Sequence, residues 1–427
     1  MTISRRALLG RMGGTAAALS LMGLPALAQE RRIRHFWWGN PERDKRTFEV
    51  IELFKAANPG LDVSGETIGW ADYWTKMATQ TAGGNMADLV QMDYRYLFEY
   101  VRRGALLPLD EHIGKTLMIQ DFDQGPLQGG MVDGKLYALN IGSNSQVVSY
   151  NKARADEYGL EFDPINWTYD DLIAAATRAN EASGGKVKGI DDLSVQAVTF
   201  EAWCTQNGRD FYTAEGTVGA TEDDIASYWQ FWADMRKADL VPGAERTVRL
   251  QDPKMNEHGM VTGETVFSLI WSNQMVGAQA LMQDPLYAAM IPHKPEGKPG
   301  QFIKPSMFMS LSRDAKDIDG AMAYMNAWVN DPKETAVLGL ERGIPCSPAV
   351  RAALAPSFSD IEKRSVDFFE AIQTKVGPLP PPAPKGAGEV KDAFMRIGTD
   401  VTLGTYPPAE GAKFFMEEAT SILERAL

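Results

Sequence analysis

Residues 33–44 read IRHFWWGNPERD, so that three aromatic side chains run directly into a glycine, an asparagine and a proline. Aromatic and β-branched residues favour strands, whereas Gly-Asn-Pro favours a turn, and residues 33–37 are therefore predicted to form a strand. Successive side chains of a strand point to opposite faces, which separates Phe36 from Trp37. We interpret Trp37 as a core residue and residues 38–42 as the loop at the carboxyl end of that strand.

The same strand-then-helix pattern continues after this stretch. Strands are predicted at residues 61–66 and 87–92, and helices around residues 48–54, 73–81 and 96–103. Strands that alternate with helices at this spacing predict an α/β fold with a mostly parallel sheet covered by helices on both faces. Sheets of this kind bind ligands beyond the carboxyl ends of their strands, where residues 38–42 are expected to lie.

The second part of the chain has a different layout. Residues 134–152 hold two apolar runs separated by a Gly/Ser/Asn patch, as expected where a chain leaves one domain and enters another. Helices are predicted at 169–182 and 222–238, and a strand at 265–271. A proline-rich connector at 378–384 precedes a last pair of helices. The length of 427 residues exceeds the size at which single cores stop growing, so two domains are expected.

The N-terminus resembles an export signal. Arg5, Arg6 and Arg11 precede an Ala/Leu/Met-rich stretch, and Ala26-Leu27-Ala28 is an A-x-A cleavage site. The Ser-Arg-Arg-Ala-Leu-Leu run of residues 4–9 is similar to a twin-arginine signal, which predicts cleavage after Ala28 and a periplasmic protein. A membrane anchor is the alternative, but glycines interrupt the apolar run.

Composition and charge exclude several functions. The net charge is −13, and the mature chain, which lacks three arginines, carries −16. This balance argues against nucleic acids and anionic membrane surfaces as partners. The sequence contains four histidines and two cysteines without metal-ligand spacing, and it lacks GxGxxG, GxxxxGK[ST], HExxH and GxSxG motifs. We therefore expect no metal, no cofactor and no catalytic triad, and we interpret Cys204 and Cys346 as free buried thiols, although the periplasm permits a disulfide.

The placement of the aromatic residues suggests carbohydrate. Six of the ten tryptophans lie at or near a predicted strand end or loop: Trp37, Trp38, Trp70, Trp74, Trp203 and Trp271. The C–H face of a pyranose packs against an indole, and its hydroxyl groups bind carboxylates, amides and guanidinium groups. Asn40, Asp93 and Asn144 fit that demand. A glycosidase, which needs two carboxylates across the scissile bond, is the enzyme alternative.

Four segments carry a resemblance to a known family. They are AGGNMADLVQMDYRYLFEYVRRGALLPLDEHI (82–113), GKLYALNIGSNSQVVSYNK (134–152), GETVFSLIWSN (263–273) and the region from FMSLSRDAKDIDGAMAYMNAWV to ERGIPCSPAV (308–350). In this order they resemble the extracellular solute-binding proteins of carbohydrate ABC importers, the group that includes maltose-binding protein. The resemblance implies a two-lobed periplasmic binding protein fold, in which each lobe is a mostly parallel sheet flanked by helices and the ligand cleft lies at the hinge. Lobe one would comprise residues 29–143 and 305–345, and lobe two residues 144–304 and 346–427.

The resemblance also implies a set of ligand-binding residues, namely Trp38, Asn40, Glu42, Trp70, Asp93, Asn144, Trp203, Trp271 and Arg342. Other roles stand beside these. Asp93 could cap the following helix, Arg342 could pair with a surface carboxylate, and asparagine at 144 suits a hinge turn. The aromatic trio that maltose-binding protein carries near its C-terminus has no counterpart here, which argues against a linear malto-oligosaccharide.

The resulting hypothesis is a monomeric, non-enzymatic binding protein. It would capture a mono- or oligosaccharide, including an anionic one if Arg342 faces the ligand, and deliver it to ABC permease subunits by hinge closure. The alternatives are a binder of a non-sugar solute such as a polyamine, a secreted glycoside hydrolase, and a carbohydrate sensor that presents its closed form to a receptor.

Overall fold

The strands form two separate sheets and one short hairpin. The computed structural model describes residues 31–251 and 253–426; the export signal predicted for residues 1–28 lies outside them. The strands are β1 (Arg31–Trp38), β2 (Leu61–Ile68), β3 (Leu89–Met92), β4 (Met131–Val132), β5 (Lys135–Leu136), β6 (Leu139–Asn140), β7 (Ser143–Asn151), β8 (Lys188–Ile190), β9 (Thr265–Trp271), β10 (Leu286–Ala289), β11 (Ile303–Pro305) and β12 (Phe308–Leu311).

Helices cover these sheets and make up most of the C-terminal third of the chain. They are α1 (Pro41–Ala57), α2 (Trp70–Ala82), α3 (Tyr94–Arg102), α4 (Gln124–Gln128), α5 (Lys152–Glu157), α6 (Tyr169–Ala182), α7 (Ala197–Gln206), α8 (Glu222–Lys237), α9 (Ala244–Arg249), α10 (Gly259–Thr262), α11 (Met275–Gln279), α12 (Ile318–Asn330), α13 (Pro332–Leu338), α14 (Pro348–Leu354), α15 (Asp360–Ile372), α16 (Ala387–Thr402) and α17 (Pro408–Ala426). The mixed α/β class predicted from the sequence is confirmed.

The first sheet has the strand order β2-β1-β3-β12-β6. Its strand β1 is parallel to both β2 and β3, as the alternating pattern predicted. Trp37 is fully buried on one face with residues of α1 and α12, and Phe36 is fully buried on the other face with residues of α2 and α3. The interpretation of Trp37 as a core residue is therefore confirmed, and so is its separation from Phe36.

The second sheet has the order β10-β7-β9-β8, and β11 also pairs with β7. Here the prediction of a mostly parallel sheet in each lobe is wrong. Strand β7 is antiparallel to β9, β10 and β11, and only β8 and β9 pair in parallel; in the first sheet β12 is antiparallel to both neighbours. A parallel neighbour requires a crossover connection, usually a helix, between the two strands. Strands β7 and β12 instead enter their sheets directly from a crossing segment.

Two crossing segments, residues 141–143 and 305–307, join the two sheets, and a third, residues 344–346, leads from helices packed on the first sheet to helices packed on the second. They are hydrogen-bonded to one another: the amide of Ser143 donates to the carbonyl of Ile344 at 2.8 Å, and the amide of Ser306 donates to the carbonyl of Gly142 at 2.8 Å. A Cβ atom at Gly142 would lie 2.1 Å from the carbonyl oxygen of Arg342, so glycine permits this close approach.

Three further observations concern the two cysteines, membrane-spanning helices and clusters of metal-binding side chains. Cys204 and Cys346 are both buried and free, which confirms their interpretation as thiols. Within residues 31–251 and 253–426 no helix is long and apolar enough to cross a membrane. In the same residues no group of three or more His, Cys, Asp or Glu side chains is arranged to hold a metal ion.

Candidate functional site

Lys304 lies where the two sheets meet. It sits on β11, whose register places it opposite Asn144 of β7, next to the crossing segments. Its ammonium nitrogen lies 4.7 Å from the ring centroid of Trp271, a cation–π distance. Burial lowers the pKa of Lys304, while the charges of Asp93 and Glu201 oppose that shift. Asp93 follows β3 of the first sheet, and Glu201 lies on α7, which packs beside the second sheet. The charge of Lys304 is therefore influenced by one carboxylate from each half of the structure.

Glu201 and Tyr94 complete this group. Burial raises the pKa of Glu201 to about 7, with a further contribution from Asp210 and an opposing one from Lys304. Burial also raises the pKa of Tyr94 to about 12, and the charge of Glu201 adds to the effect. The Tyr94 hydroxyl donates a 3.0 Å hydrogen bond to the carbonyl of Pro380, in the proline-rich connector. We call Asp93, Tyr94, Glu201, Trp271 and Lys304 the Lys304 cluster.

Sequence reasoning found Asp93 and Trp271 but missed the other three members of the Lys304 cluster. Tyr94 directly follows Asp93 and could have been found by extending the strand-end argument by one residue. Lys304 directly precedes the predicted lobe boundary at 305, where a ligand at a hinge would be contacted. Glu201 carried no local signal, because the face of α7 that points to the cleft depends on the packing of the whole helix.

Asp93 has two uses at once. It is the N-cap of α3, and its Oδ1 accepts a 2.9 Å hydrogen bond from the amide of Arg95. The capping role considered from the sequence is therefore confirmed. Its carboxylate is only half-buried and also acts on Lys304. Capping thus fixes the side chain at the carboxyl end of β3 without removing its charge from the cluster.

Trp38 is the last residue of β1 rather than the first residue of a loop. Its ring is 7% exposed and lies edge to face with Trp70 and Tyr73, at centroid distances of 5.0 and 5.1 Å. Trp70 is 41% exposed, and Trp74 stacks on Tyr96 at 3.8 Å. These rings of Trp38, Trp70, Trp74 and Tyr96 form an aromatic cluster beyond the carboxyl ends of β1 and β2, with Trp70 as its exposed member.

Asn40 and Glu42 belong to the start of α1 instead of the predicted loop at 38–42. Asn40 is the N-cap, and its Oδ1 accepts hydrogen bonds from the amides of Glu42 and Arg43, both at 3.0 Å. Glu42 is exposed and accepts a 2.8 Å hydrogen bond from Arg46, one turn along the helix. The chain turns into a helix this early because Asn-Pro supplies an N-cap followed by the proline favoured at the first helical position.

Asn144 and Gln146 follow the crossing on β7. Asn144 is 5% exposed, and its Oδ1 accepts a long hydrogen bond of 3.4 Å from Ser272. Gln146 is 4% exposed, and neither its side-chain nitrogen nor its oxygen has a hydrogen-bond partner among the described residues. Nothing in the sequence indicated that the Gln146 side chain would be buried without a partner.

Trp203 lies on the far side of α7 from Glu201. The two residues are two positions apart, about 200° around a helix, so they face opposite directions. Trp203 is 6% exposed, packs against Tyr169 and Phe231, and donates to Ser227 at 3.2 Å. The structure thus gives Trp203 core contacts beside the second sheet and does not bring it to the Lys304 cluster.

Arg342 points into the first sheet's core, away from the cleft for which it was predicted. It is 4% exposed, donates to Thr47 Oγ1 at 2.8 Å and pairs with Glu341 at 3.3 Å. Burial lowers its pKa to about 10. The loop at 343–345 is part of a crossing segment. Arg342, which precedes this loop, turns inward and packs its guanidinium group over the ring of Trp328. The anionic-sugar hypothesis loses the residue on which it rested.

Comparison with known proteins gives a consistent picture. A family model described as bacterial extracellular solute-binding protein matches residues 49–363. A solved structure of an extracellular solute-binding protein, family 1, from Alicyclobacillus acidocaldarius is 31% identical, covers 92% of this chain and 98% of that chain, and has a TM-score of 0.84.

Two curated relatives match shorter parts of the chain. A binding protein of Brucella abortus (strain 2308) is 25% identical over 269 residues, which are 61% of this chain and 64% of that protein. An arabinooligosaccharide-binding protein of Halalkalibacterium halodurans is 26% identical over 144 residues, 33% of this chain and 31% of its own length. The chain thus spans less than two thirds of the length of these curated relatives.

Proposed function

The chain belongs to the bacterial extracellular solute-binding proteins, and from this premise we propose that it captures a saccharide between its two sheets and passes it to an ABC permease. The observation that carries the proposal is the Lys304 cluster, where groups from both sheets meet around one cation beside the crossing segments. Solute-binding proteins do not need a catalytic pair, and family membership gives no support to the glycosidase alternative.

The proposed mechanism is hinge closure. Lobe one would comprise residues 29–143 and 305–345, and lobe two residues 144–304 and 346–427, with the three crossing segments as the hinge. Because these segments are hydrogen-bonded to one another, they would bend together when the lobes close. A ligand that contacts Asp93 and Tyr94 on one side and Glu201 and Trp271 on the other binds the closed form better, which shifts the population toward it.

The chemistry of the cleft supports a saccharide over a polyamine. A polyamine would place its cations between the carboxylates and the aromatic rings, but Lys304 already occupies that position over Trp271. Carboxylates, an amide and a tyrosine hydroxyl match sugar hydroxyl groups, and the exposed ring of Trp70 offers a surface for a sugar face. With Asp93 and Glu201 near a single lysine, an uncharged saccharide is favoured. The relative that binds an arabinooligosaccharide is consistent with this class.

We propose that three of the ligand contacts predicted from the sequence lie at the centre of the cleft: Asp93, Asn144 and Trp271. Trp38 and Trp70 join them through the aromatic cluster, while Asn40 and Glu42 would contribute at its rim. Tyr94, Glu201 and Lys304 are added from the structure. In this proposal Trp203 and Arg342 do not contact the ligand. Trp203 holds α7 in place, and Arg342 holds the crossing segment at 344–346 in place.

The proposal is tested by thermal-shift and calorimetric titration of the mature chain. The probes are arabinose, xylose, glucose, their disaccharides, galacturonate and spermidine. We expect a neutral saccharide to raise the unfolding temperature, and the Asp93→Asn and Glu201→Gln variants to bind it at least tenfold more weakly. Asp121→Asn, an exposed aspartate away from the cleft, is the control. Stabilisation by spermidine with no response to any saccharide would refute the proposal.

We also propose export to the periplasm by a twin-arginine signal, action as a monomer and transfer of the sugar to permease subunits. Cell fractionation of a variant with Arg5 and Arg6 replaced by lysine checks the export route, since it should remain in the cytoplasm with residues 1–28 uncleaved. A carbohydrate sensor would share the same cleft. Loss of sugar uptake on deletion of the gene distinguishes the transporter from the sensor.

A further inference from the structure

A second pocket opens beside Trp271, at the carboxyl ends of β8 and β9. It is an open pocket with a volume of about 280 Å³, near the lower end of the range of small-molecule sites. Its polar lining includes Gln146, Asp191, Gln196, Arg246 and Gln274. Trp271 lines it as well and carries Lys304 over its ring, so the pocket adjoins the Lys304 cluster. We call it the Gln146 pocket.

Gln146 is the feature that points to a ligand. Its side chain is 4% exposed, and both its amide nitrogen and its amide oxygen lack a partner among the described residues. A buried amide without hydrogen bonds is costly, and such groups are normally paired with protein or bound molecules. Gln146 lies opposite Trp271 in the pairing of β7 with β9, so its amide and the indole belong to the same wall.

The charged side chains that line the Gln146 pocket already have ion-pair partners, within the lining or next to it. Asp191 accepts hydrogen bonds from Ser268 at 2.5 Å and from the amide of Gly259 at 3.2 Å, and Arg246 lies 3.3 Å from its other oxygen. Asp192 pairs with Arg236 at 2.5 Å. Each charged lining side chain thus has a partner of opposite charge, and the buried lining atoms without a hydrogen-bond partner among the described residues are the two amide atoms of Gln146 and Oδ1 of Asp191. These groups suit the hydroxyl groups of an uncharged polar ligand better than an ion.

We propose that the Gln146 pocket holds a second, uncharged sugar unit of the same ligand. In this arrangement the amide nitrogen of Gln146 donates to one hydroxyl group and its oxygen accepts from a neighbouring one, as an amide does with a vicinal diol. The first unit lies at the Lys304 cluster, and Trp271 separates the two. This inference rests on the proposed function and narrows it to a saccharide of at least two units.

The test measures how chain length affects affinity in the mature chain. Three pairs of probes are titrated calorimetrically: arabinose with arabinobiose, xylose with xylobiose, and glucose with maltose. For the pair that binds best, we expect the disaccharide to bind at least tenfold more tightly than the monosaccharide. Gln146→Met, which keeps the size of the side chain and removes its polar atoms, should abolish most of this gain and change monosaccharide affinity less than twofold.

Two further variants separate binding from folding. Val198→Phe fills the same pocket from α7 without touching Gln146 and should also remove the gain. Gln230→Met, on an exposed face of α8, is the matched control and should leave it unchanged. Because Gln146 lacks partners in the free protein, Gln146→Met should in addition raise the unfolding temperature of the ligand-free chain.

The outcomes distinguish this inference from the proposed function. Equal affinity for the members of each pair, or a gain that survives both pocket variants, overturns the inference and leaves saccharide binding intact. A lower unfolding temperature of ligand-free Gln146→Met also overturns it, since the amide would then have had structural partners. Failure of all six sugars to bind overturns the inference together with the proposed function.

Discussion

The rings of Trp38 and Trp70 lie edge to face, with centroids 5.0 Å apart and an interplanar angle of 81°. One ring is 7% exposed and the other 41% exposed. Trp38 therefore supports Trp70 from beneath, and the surface available to a sugar belongs mainly to Trp70. The sequence analysis assigned Trp37 to the core and Trp38 to the ligand. In the structure Trp38 still packs at the end of the sheet, and Trp70 is the exposed tryptophan.

Substitutions should separate these two tryptophans. Trp70→Ala is expected to weaken saccharide binding about tenfold and to change the free energy of unfolding by less than about 1 kcal/mol. Trp38→Ala removes a buried ring and should cost about 3–5 kcal/mol of stability in addition to affinity. Urea unfolding and calorimetric titration measure both effects. Phe48→Ala, an exposed aromatic on α1, is the control and should leave binding unchanged.

The stability of the protein should depend on the ionisation of Glu201. Its folded-state pKa of about 7 lies above its ordinary value of 4.5. Below pH 4.5 both states are protonated; between pH 4.5 and 7 only the unfolded state ionises, so stability falls as pH rises, and above pH 7 the loss is constant. Glu201→Gln should remove up to about 3 kcal/mol of this loss.

The measurement is the difference in unfolding free energy between wild type and Glu201→Gln, followed by urea titration from pH 4 to pH 8. The difference should grow in favour of the variant through this range. Glu222→Gln, at the exposed start of α8, should give a flat difference. A flat difference for Glu201→Gln would mean that its carboxyl is solvated and does not lie in the proposed cleft interior.

Arg342 is expected to be a stability residue. Arg342→Met removes the partner of Glu341 and Thr47 from a buried position and should destabilise the fold by about 3 kcal/mol or more. Folded variant protein should bind saccharide as wild type does. Arg103→Met breaks an exposed ion pair with Glu99 and should cost less than about 1 kcal/mol. Loss of affinity with unchanged stability would restore Arg342 to the ligand site.

The two thiols should be unreactive until the protein unfolds. Burial raises the pKa of Cys346 to about 12 and the pKa of Cys204 well above its ordinary value. At pH 8 a disulfide reagent should therefore titrate no thiol in the native protein and two in 6 M urea. Rapid labelling of Cys346 alone would show that the crossing at 344–346 opens in solution.

Local patterns in the sequence predicted the elements well. Helix α6 and strand β9 have the predicted bounds, and the strand–helix alternation after residue 31 is present. The prediction of parallel pairing in the second sheet was wrong, because the direction of a strand depends on where the chain enters the sheet. The same limit applies to the site. Asp93 and Trp271 end strands and could be predicted, whereas Glu201 and Gln146 depend on which face of their element is packed inward.

Strand β12 has a consequence for how the molecule is made. Residues 308–311 lie between β3 and β6, strands that the ribosome completes more than 160 residues earlier. Until β12 emerges, β3 and β6 present unpaired edges, which are templates for aggregation. The N-terminal half therefore cannot close its own sheet during synthesis. A cytoplasmic chaperone that holds the nascent chain until β12 arrives would suit this protein, and so would a translocation route that accepts it after folding.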